Sequence, residues 1–414
     1  MSVLTHKDSC RICDGTKLSK VLSLGPTPLA NAFLESQEAR AAEMYYPLDA
    51  YLCRDCGLLQ LLDVVSPEVL FKDYVYVSST SPAFVAHFRD FAEKAFERFS
   101  LNRESLVVDI GSNDGILLTP FKRKGVRVLG VEPDETIARM ARRGGIDTIT
   151  EFWGPDVAQR VAKRYGCADL ITATNVFAHI DDIHAVLRGV KTLLKPEGVF
   201  VIEVPYLADF LKKNLFDTVY HEHLSYFSLA ALQAFFTRTR MTIIDVEQVP
   251  THGGSLRVFA ARKGSRHFVH ARVGKLMMRE EKQRLRDGKT FERYNLRILL
   301  NRAKLLSLLS GLKRRGKRIA GYGAPAKGNT LLNFFSVGRE LLDYIVDDSP
   351  FKQGKHTPGK RIPVVSSEVL KRNPPDYLLI LAWNFAEPIM KKNEAFRKKG
   401  GRFIIPVPTP RIII

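Results

Sequence analysis

The residues Leu106-Val-Val-Asp109-Ile break on Gly111-Ser-Asn113-Asp-Gly115 and run on into Ile-Leu-Leu. A short apolar run of this kind reads as a buried strand, and the glycines after it mark a turn into a helix. The unit recurs. Arg127-Val-Leu-Gly-Val-Glu132 ends on an acid, and Asp169-Leu-Ile-Thr-Ala-Thr174 runs into Asn175-Val-Phe-Ala-His179. Val199-Phe-Val-Ile-Glu-Val204 follows Leu194-Lys-Pro-Glu-Gly198. Strands alternating with helical segments predict an α/β fold with a doubly wound parallel sheet. Ligands bind such sheets at the carboxyl ends of the strands.

Gly111 and Gly115 do not match the dinucleotide spacing G-x-G-x-x-G. Asp109, just before the turn, would repel a pyrophosphate but suits a positively charged ligand with an amino group. Glu132 is placed to accept hydrogen bonds from two ribose hydroxyls.

At 414 residues the chain exceeds one hydrophobic core, and the expected division is 1–70, 71–260 and 261–414. Cys10-Arg-Ile-Cys13 and Cys53-Arg-Asp-Cys56 supply four thiolates, the number that closes a tetrahedral structural zinc site. A redox pair and an iron–sulfur cluster are the rival readings. Four protein ligands leave no open position, so this metal is expected to hold a small lobe together rather than do chemistry. The fifth cysteine, Cys167, reads as buried filler. No apolar run reaches the ~18–20 residues that span a bilayer, and the first residues lack a signal-peptide core, so a cytoplasmic location and no membrane partner are expected.

The formal net charge is +19, and Ala261 to Arg318 carries nineteen Lys and Arg against four acids. A long amphipathic helical stretch with a solvated basic face is one reading, and an anionic partner is the other. Beyond it, Gly321-Tyr322-Gly323-Ala-Pro-Ala-Lys327-Gly-Asn329-Thr330 is again strand, glycine turn and helix. Amide groups at a helix start favour anions, and Lys327 adds charge. Leu342–Asp348, Asp376–Asn384 and Arg402–Pro406 complete a second α/β sheet. It serves either as a scaffold or dimerisation lobe, or as the grip on the phosphates of a nucleotide-linked substrate.

Three further stretches carry chemistry. Tyr220-His221-Glu222-His223 packs proton-moving residues side by side, without the His-Glu-x-x-His spacing of a zinc protease. It reads as an acid–base cluster or as a polar network between lobes. Tyr74-Val-Tyr76-Val-Ser-Ser79 reads as an extended segment with one aromatic face. Thr251-His252-Gly-Gly-Ser255-Leu-Arg257 is a turn leading into a strand, either a tight reversal or a substrate loop.

Together these motifs and Asp347-Asp-Ser-Pro-Phe-Lys-Gln-Gly354 resemble, over nearly the whole chain, the sugar C-methyltransferases that act on nucleotide-linked keto-deoxysugars. The resemblance implies an N-terminal zinc-binding lobe, a central class I methyltransferase sheet and a C-terminal Rossmann-like α/β domain, with substrate between the last two. It implies S-adenosylmethionine as cofactor, held by Asp109, Gly111, Asn113, Gly115, Glu132, Asn175 and Ser79, with Phe152 or Trp153 near the adenine. It makes His223 the base that removes a proton beside a ketone. Glu222 orients it or helps move protons, Tyr220 and His179 face the keto or enolate oxygen, and Tyr74, a further catalytic candidate, lies over the cofactor cleft or packs between lobes. His252, Arg257, Tyr322, Lys327 and Asn329 are the expected substrate contacts. The expected substrate is a TDP-linked 4-keto-deoxysugar, with no nucleic-acid partner and a monomer or weak dimer as the assembly. A zinc-containing RNA methyltransferase, or a sugar methyltransferase with a different acceptor atom, is the alternative.

Overall fold

The recurring strand units assemble into a seven-stranded sheet in the computed structural model, which describes residues 3–35, 43–70 and 77–414. The strands lie in the order Met241–Val249, Ser255–Arg262, Leu194–Pro205, Ala168–Thr174, Leu106–Ile110, Arg127–Val131 and Thr148–Ile149. The last five run parallel, and Ser255–Arg262 is antiparallel to both of its neighbours. Helices cover both faces, so the strand Leu106–Ile110 is apolar except at Asp109: Leu106, Val107, Val108 and Ile110 are buried.

Met241–Val249 carries no clean apolar signature because it holds Asp245 and Glu247. Asp245 is buried, and Arg98 and Arg272 pair with it. Its neighbour strand buries a second charged group. Arg257 Nη2 lies 2.9 Å from Glu203 Oε2, and its guanidinium sits 4.0 Å from the Phe91 ring centroid. His87 Nε2 and Thr251 Oγ1 also reach Glu203, at 2.9 and 2.8 Å from Oε1. Arg257, expected to touch substrate, is therefore a structural ion-pair residue at 3% exposure.

Six strands form the C-terminal sheet, in the order Val364–Val365, Ile345–Val346, Ile319–Tyr322, Tyr377–Ile380, Arg402–Ile405 and Arg411–Ile413. All pairs are parallel except the last. The basic stretch before this sheet folds into the helices Ala271–Gln283 and Gly288–Arg314. Phe291, Tyr294, Ile298, Leu305, Leu309 and Leu312 recur at helical spacing and are buried, whereas Arg293 and Lys304 face solvent. Glu280 from the first of these helices accepts from the Leu229 and Ala230 amides, which start another helix.

The N-terminal sheet was invisible in the sequence. Its strands Leu18–Thr27, Tyr46–Cys53 and Leu59–Leu61 pair antiparallel, and Leu4–His6 pairs separately with Asp63–Val65. Its fourth strand, Ser225–Tyr226, comes from far along the chain and pairs with Leu59 and Gln60. Cys167, expected inside, is exposed, because it sits in the turn between the helix Pro155–Tyr165 and the strand Ala168–Thr174.

Burial works to raise the Glu203 carboxyl, but the hydrogen bond from His87 and the Arg257 charge outweigh it and hold it at about 2. A carboxyl held below its ordinary range stabilises the fold above about pH 4.5, and that contribution disappears as pH falls through about 2. Replacing Arg257 by Met leaves the carboxylate buried without its cation. The variant is expected to lose about 3–5 kcal/mol of stability at neutral pH, read as a lowered midpoint in a urea melt.

Candidate active site

The two cysteine knuckles meet at one edge of the N-terminal sheet, one in the turn at Cys10–Cys13 and the other where Tyr46–Cys53 ends. The four sulfurs lie within 4.8 Å of one another. The pairs Cys10–Cys56 and Cys13–Cys53 are each 3.5 Å apart. Zinc–sulfur bonds of ~2.3 Å place tetrahedral sulfurs about 3.8 Å apart, so the donor set fits zinc. Three of the four residues are buried, and four thiolates leave no position for a substrate.

At the carboxyl edge of the seven-stranded sheet, the turn after Leu106–Ile110 is shaped by its glycines. Gly111 has φ +67°, and a β-carbon there would meet Val176 at 2.7 Å. Asn113 also takes a positive φ, and its side-chain oxygen accepts from the Ser78 amide at 2.8 Å. Ser79 donates its amide to Asp114, so the turn Ser78–Thr80 lies over the glycine loop. Glu132 accepts from the Asn113 and Asp134 amides at 3.0 and 3.1 Å. Asn175, also at positive φ, keeps a buried side-chain oxygen with no partner among the described residues.

Two cofactor expectations change in detail. Asp109 faces Thr172 on the neighbouring strand and accepts from its hydroxyl at 2.6 Å. Burial pushes its carboxyl up to about 7, so it braces the loop from beneath. Of the two aromatic candidates, Phe152 is 63% exposed at the edge. Trp153 is spent on packing, with its indole N–H on the Val186 carbonyl. The open glycine turn, Glu132, the unpartnered Asn175 oxygen and exposed Phe152 are a set that fits S-adenosylmethionine.

Tyr220–His223 forms a turn, with the His223 amide on the Tyr220 carbonyl, and the turn sends its side chains in different directions. His223 Nδ1 lies 2.8 Å from the Thr218 carbonyl, and its Nε2 lies 2.9 Å from the Tyr220 hydroxyl. A carbonyl only accepts, so Nδ1 carries the proton of the neutral ring and the Nε2 lone pair faces Tyr220. The His179 ring stacks edge-on against His223, with centroids 4.7 Å apart. His221 points the other way, onto the Pro47 carbonyl and against Tyr46. Glu222 does not orient His223. Its Oε1 accepts from Asn31 at 2.6 Å, and the Thr218 carbonyl takes the orienting role.

The C-terminal sheet reaches this region through few groups. Burial drives the Lys327 ammonium down to about 8 while Asp217 opposes it. Lys327 donates to Asn384 and sits 4.4 Å over the Trp383 ring, whose N–H is 2.6 Å from Asp217. Asp217 adjoins Thr218, so this contact buttresses the turn that holds His223. Tyr322 and Asn329 are not open to a substrate. Tyr322 is buried with its hydroxyl on Asp348, and the Asn329 amide donates to the Ala30 carbonyl at 2.7 Å. The glycine turn also spends its Ala324 amide on Asp347. Tyr74 lies outside the described residues, as does the side chain of His252.

Sequence reasoning missed Thr218, Asp217, Asn31, Arg11 and Lys352. Thr218 acts through its backbone carbonyl, which no residue type announces. Lys352 stood in a quoted motif without a role. It donates to the Ala324 carbonyl, and the charges of Asp347 and Glu222 counter the burial that lowers its pKa.

Burial pushes the Glu222 carboxyl up to about 7, against the Asn31 hydrogen bond and the Lys352 charge. A carboxyl held above its ordinary 4.5 favours folding below that pH, and the contribution is lost as pH rises through about 7. Substituting Gln for Glu222 removes this titration. Unfolding free energies measured from pH 4.5 to 8 are expected to decline less steeply in the variant, by up to about 3 kcal/mol across the window.

Family models match three stretches in succession: a zinc binding domain over residues 10–71, a methyltransferase domain over 84–244 and a C-methyltransferase C-terminal domain over 250–408. The C-methyltransferase NovU of Streptomyces niveus is 41% identical over 406 residues, covering 98% of this chain and 97% of that one. The ubiquinone biosynthesis O-methyltransferase of Methylobacterium sp. (strain 4-46) is 30% identical over 125 residues, covering 29% of this chain and 50% of that one. Among solved structures, the PH0226 protein from Pyrococcus horikoshii OT3 is 14% identical, covering 48% of this chain and all of that one, with a TM-score of 0.36. No helix among the described residues is long and apolar enough to cross a membrane. With its four-cysteine zinc clip, its S-adenosylmethionine-binding sheet and a relative aligned almost end to end, this chain belongs to the C-methyltransferase family.

Proposed function

We propose that the protein methylates the carbon beside the ketone of a nucleotide-linked 4-keto-deoxysugar, with thymidine diphosphate as the nucleotide and carbon 3 as the acceptor. The observation that carries this reading is the His223 ring, whose tautomer the Thr218 carbonyl fixes and whose basic nitrogen meets the Tyr220 hydroxyl. Bound S-adenosylmethionine supplies an electrophilic methyl group. The protein must then make a carbon nucleophilic, which requires a base and a donor for the oxyanion that results.

His223 Nε2 takes the proton from the sugar carbon, leaving the electron pair to delocalise onto the keto oxygen. Once protonated, Nε2 can only donate, so it no longer accepts from Tyr220. The Tyr220 hydroxyl then turns its proton toward the enolate oxygen, where negative charge has developed. The imidazolium is stabilised by the Thr218 carbonyl on Nδ1, and His179 packs its ring in place. The enolate's electron pair would form the new carbon–methyl bond as the sulfur–methyl bond breaks and S-adenosylhomocysteine leaves, and His223 returns its proton to solvent before the next turnover.

Lys327 and Lys352 support a sugar-nucleotide substrate. Both are cations of the C-terminal unit, Lys327 on the helix Ala326–Phe335 and Lys352 in a turn, and they interact electrostatically with Asp217 and Glu222 respectively. With the chain divided at about residues 70 and 260, the substrate in this reading lies between the second and third units.

The test combines methyl-labelled S-adenosylmethionine with a panel of nucleotide-linked 4-keto sugars, followed by mass spectrometry of the sugar. Without cofactor, deuterium from solvent is expected to enter the carbon beside the ketone. An Asn at position 223 should lower both exchange and turnover by about 10²–10⁴-fold while S-adenosylmethionine still binds. Near-normal exchange in that variant removes His223 from the base role, and methyl label on oxygen removes the carbon acceptor.

A further inference from the structure

We propose that Arg11, which lies between two of the zinc ligands, is a positioning residue that ties the cysteine knuckle to both histidine-bearing loops of the active site. The inference rests on the reading of His223 as the base. Arg11 sits in Cys10-Arg-Ile-Cys13, yet its side chain is turned inward with 2% exposure. Its Nε lies 2.9 Å from Asp181 Oδ1. Its Nη1 donates to Gln60 Oε1 at 3.2 Å, to the Leu61 carbonyl and to the Leu224 carbonyl at 3.3 Å.

Those partners are not scattered. Asp181 lies two residues after His179, and Leu224 is the residue after His223. The Leu224 carbonyl also accepts from the Leu61 amide at 3.0 Å, and the Leu224 amide donates to the Ala178 carbonyl at 2.9 Å. One guanidinium thus grips the zinc lobe's sheet, the loop of His179 and the loop of His223. A planar fork with five donors can hold three such groups, and a lysine ammonium cannot match that geometry. The position next to four thiolates is also favourable for a fixed cation, since zinc leaves that ligand set with net negative charge.

A surface knuckle residue needs no such burial. Taking a guanidinium out of water is costly, and Nη2 finds no partner among the described residues, so the cation stays there only while the contacts of Nε and Nη1 are kept together. If the knuckle or Arg11 shifts, His179 and His223 lose their common anchor. A misplacement of about 1 Å at a reacting group costs roughly 10²-fold in rate.

The experiment uses the full chain with its zinc. Arg11→Met keeps an apolar stem and removes all donors, and Arg11→Lys keeps the charge. For each, zinc per chain is measured by atomic emission, cofactor affinity by calorimetry, and kcat and KM by turnover of the sugar substrate. The expected result for Arg11→Met is full zinc, cofactor affinity within twofold, KM little changed and kcat lower by about 10²-fold. Arg11→Lys should recover part of kcat. Asp181→Asn, at a half-exposed position, should lower kcat in the same direction and add little when combined with Arg11→Met. It decides the matter if Arg11→Met does not fold. Unchanged kcat in the folded variants overturns the proposal, as does zinc loss in proportion to lost activity, which would make Arg11 a metal-retention residue. His223→Asn measured alongside keeps the two readings apart. If that variant turns over normally, the base assignment fails, whatever Arg11 does.

Discussion

Two residues of backbone, Ser225 and Tyr226, hold the zinc lobe and the methyltransferase sheet in one frame. They form the fourth strand of the N-terminal sheet by pairing with Gln60 and Leu59. Both are buried, so the amides and carbonyls in this pairing have no water to turn to if it opens. The strand begins two residues after His223, and the active-site turn is therefore tethered at its far end to the metal lobe. At its near end, Asp217 and Trp383 tether it to the C-terminal sheet. The turn is a short span between two fixed points, which accounts for a well-defined ring orientation in a segment with little regular structure.

The charges around this turn are unusual for how few of them face water. Glu222 and Asp217 are acids that burial pushes toward neutrality, while burial draws Lys327 and Lys352 the opposite way. Each acid lies near one of these lysines, on an element from another part of the chain. In a region shielded from solvent such groups act over longer distances than in water. The arrangement is compatible with the proposed chemistry, in which a polar, anionic substrate and a transient oxyanion would sit where water competes little.

The parallel part of the methyltransferase sheet was legible because its strands are mostly apolar on both faces and its turns need glycine, whereas the edge strand Met241–Val249, with Asp245 and Glu247, was not. Gly111, for example, occupies a conformation and a clearance that a side chain would spoil. The four cysteines were legible because thiolate chemistry needs them in pairs. The N-terminal sheet was not, since one of its strands lies far away in sequence and local periodicity carries no sign of partners. The site was half legible. Tyr220 and His223 do meet, but Glu222 belongs to Asn31, because a turn fans out side chains that a strand would have aligned. Arg257 was an expected substrate contact only through the family resemblance and its place after the Gly253–Gly254 turn. Here a buried acid on the neighbouring strand, Glu203, claims it.

The remote strand of the zinc lobe also has a consequence for synthesis. The lobe's own cysteines emerge from the ribosome before the methyltransferase sheet, and its metal can bind as soon as Cys56 is clear. The sheet cannot be completed until Ser225 appears, roughly 165 residues after Gln60. At about 5–20 residues per second that is a delay of roughly ten to thirty seconds. During that time the edge at Leu59–Leu61 is open to pairing with any nascent strand nearby. Early zinc capture would hold the lobe compact through this interval, giving the metal a part to play before the enzyme has an active site.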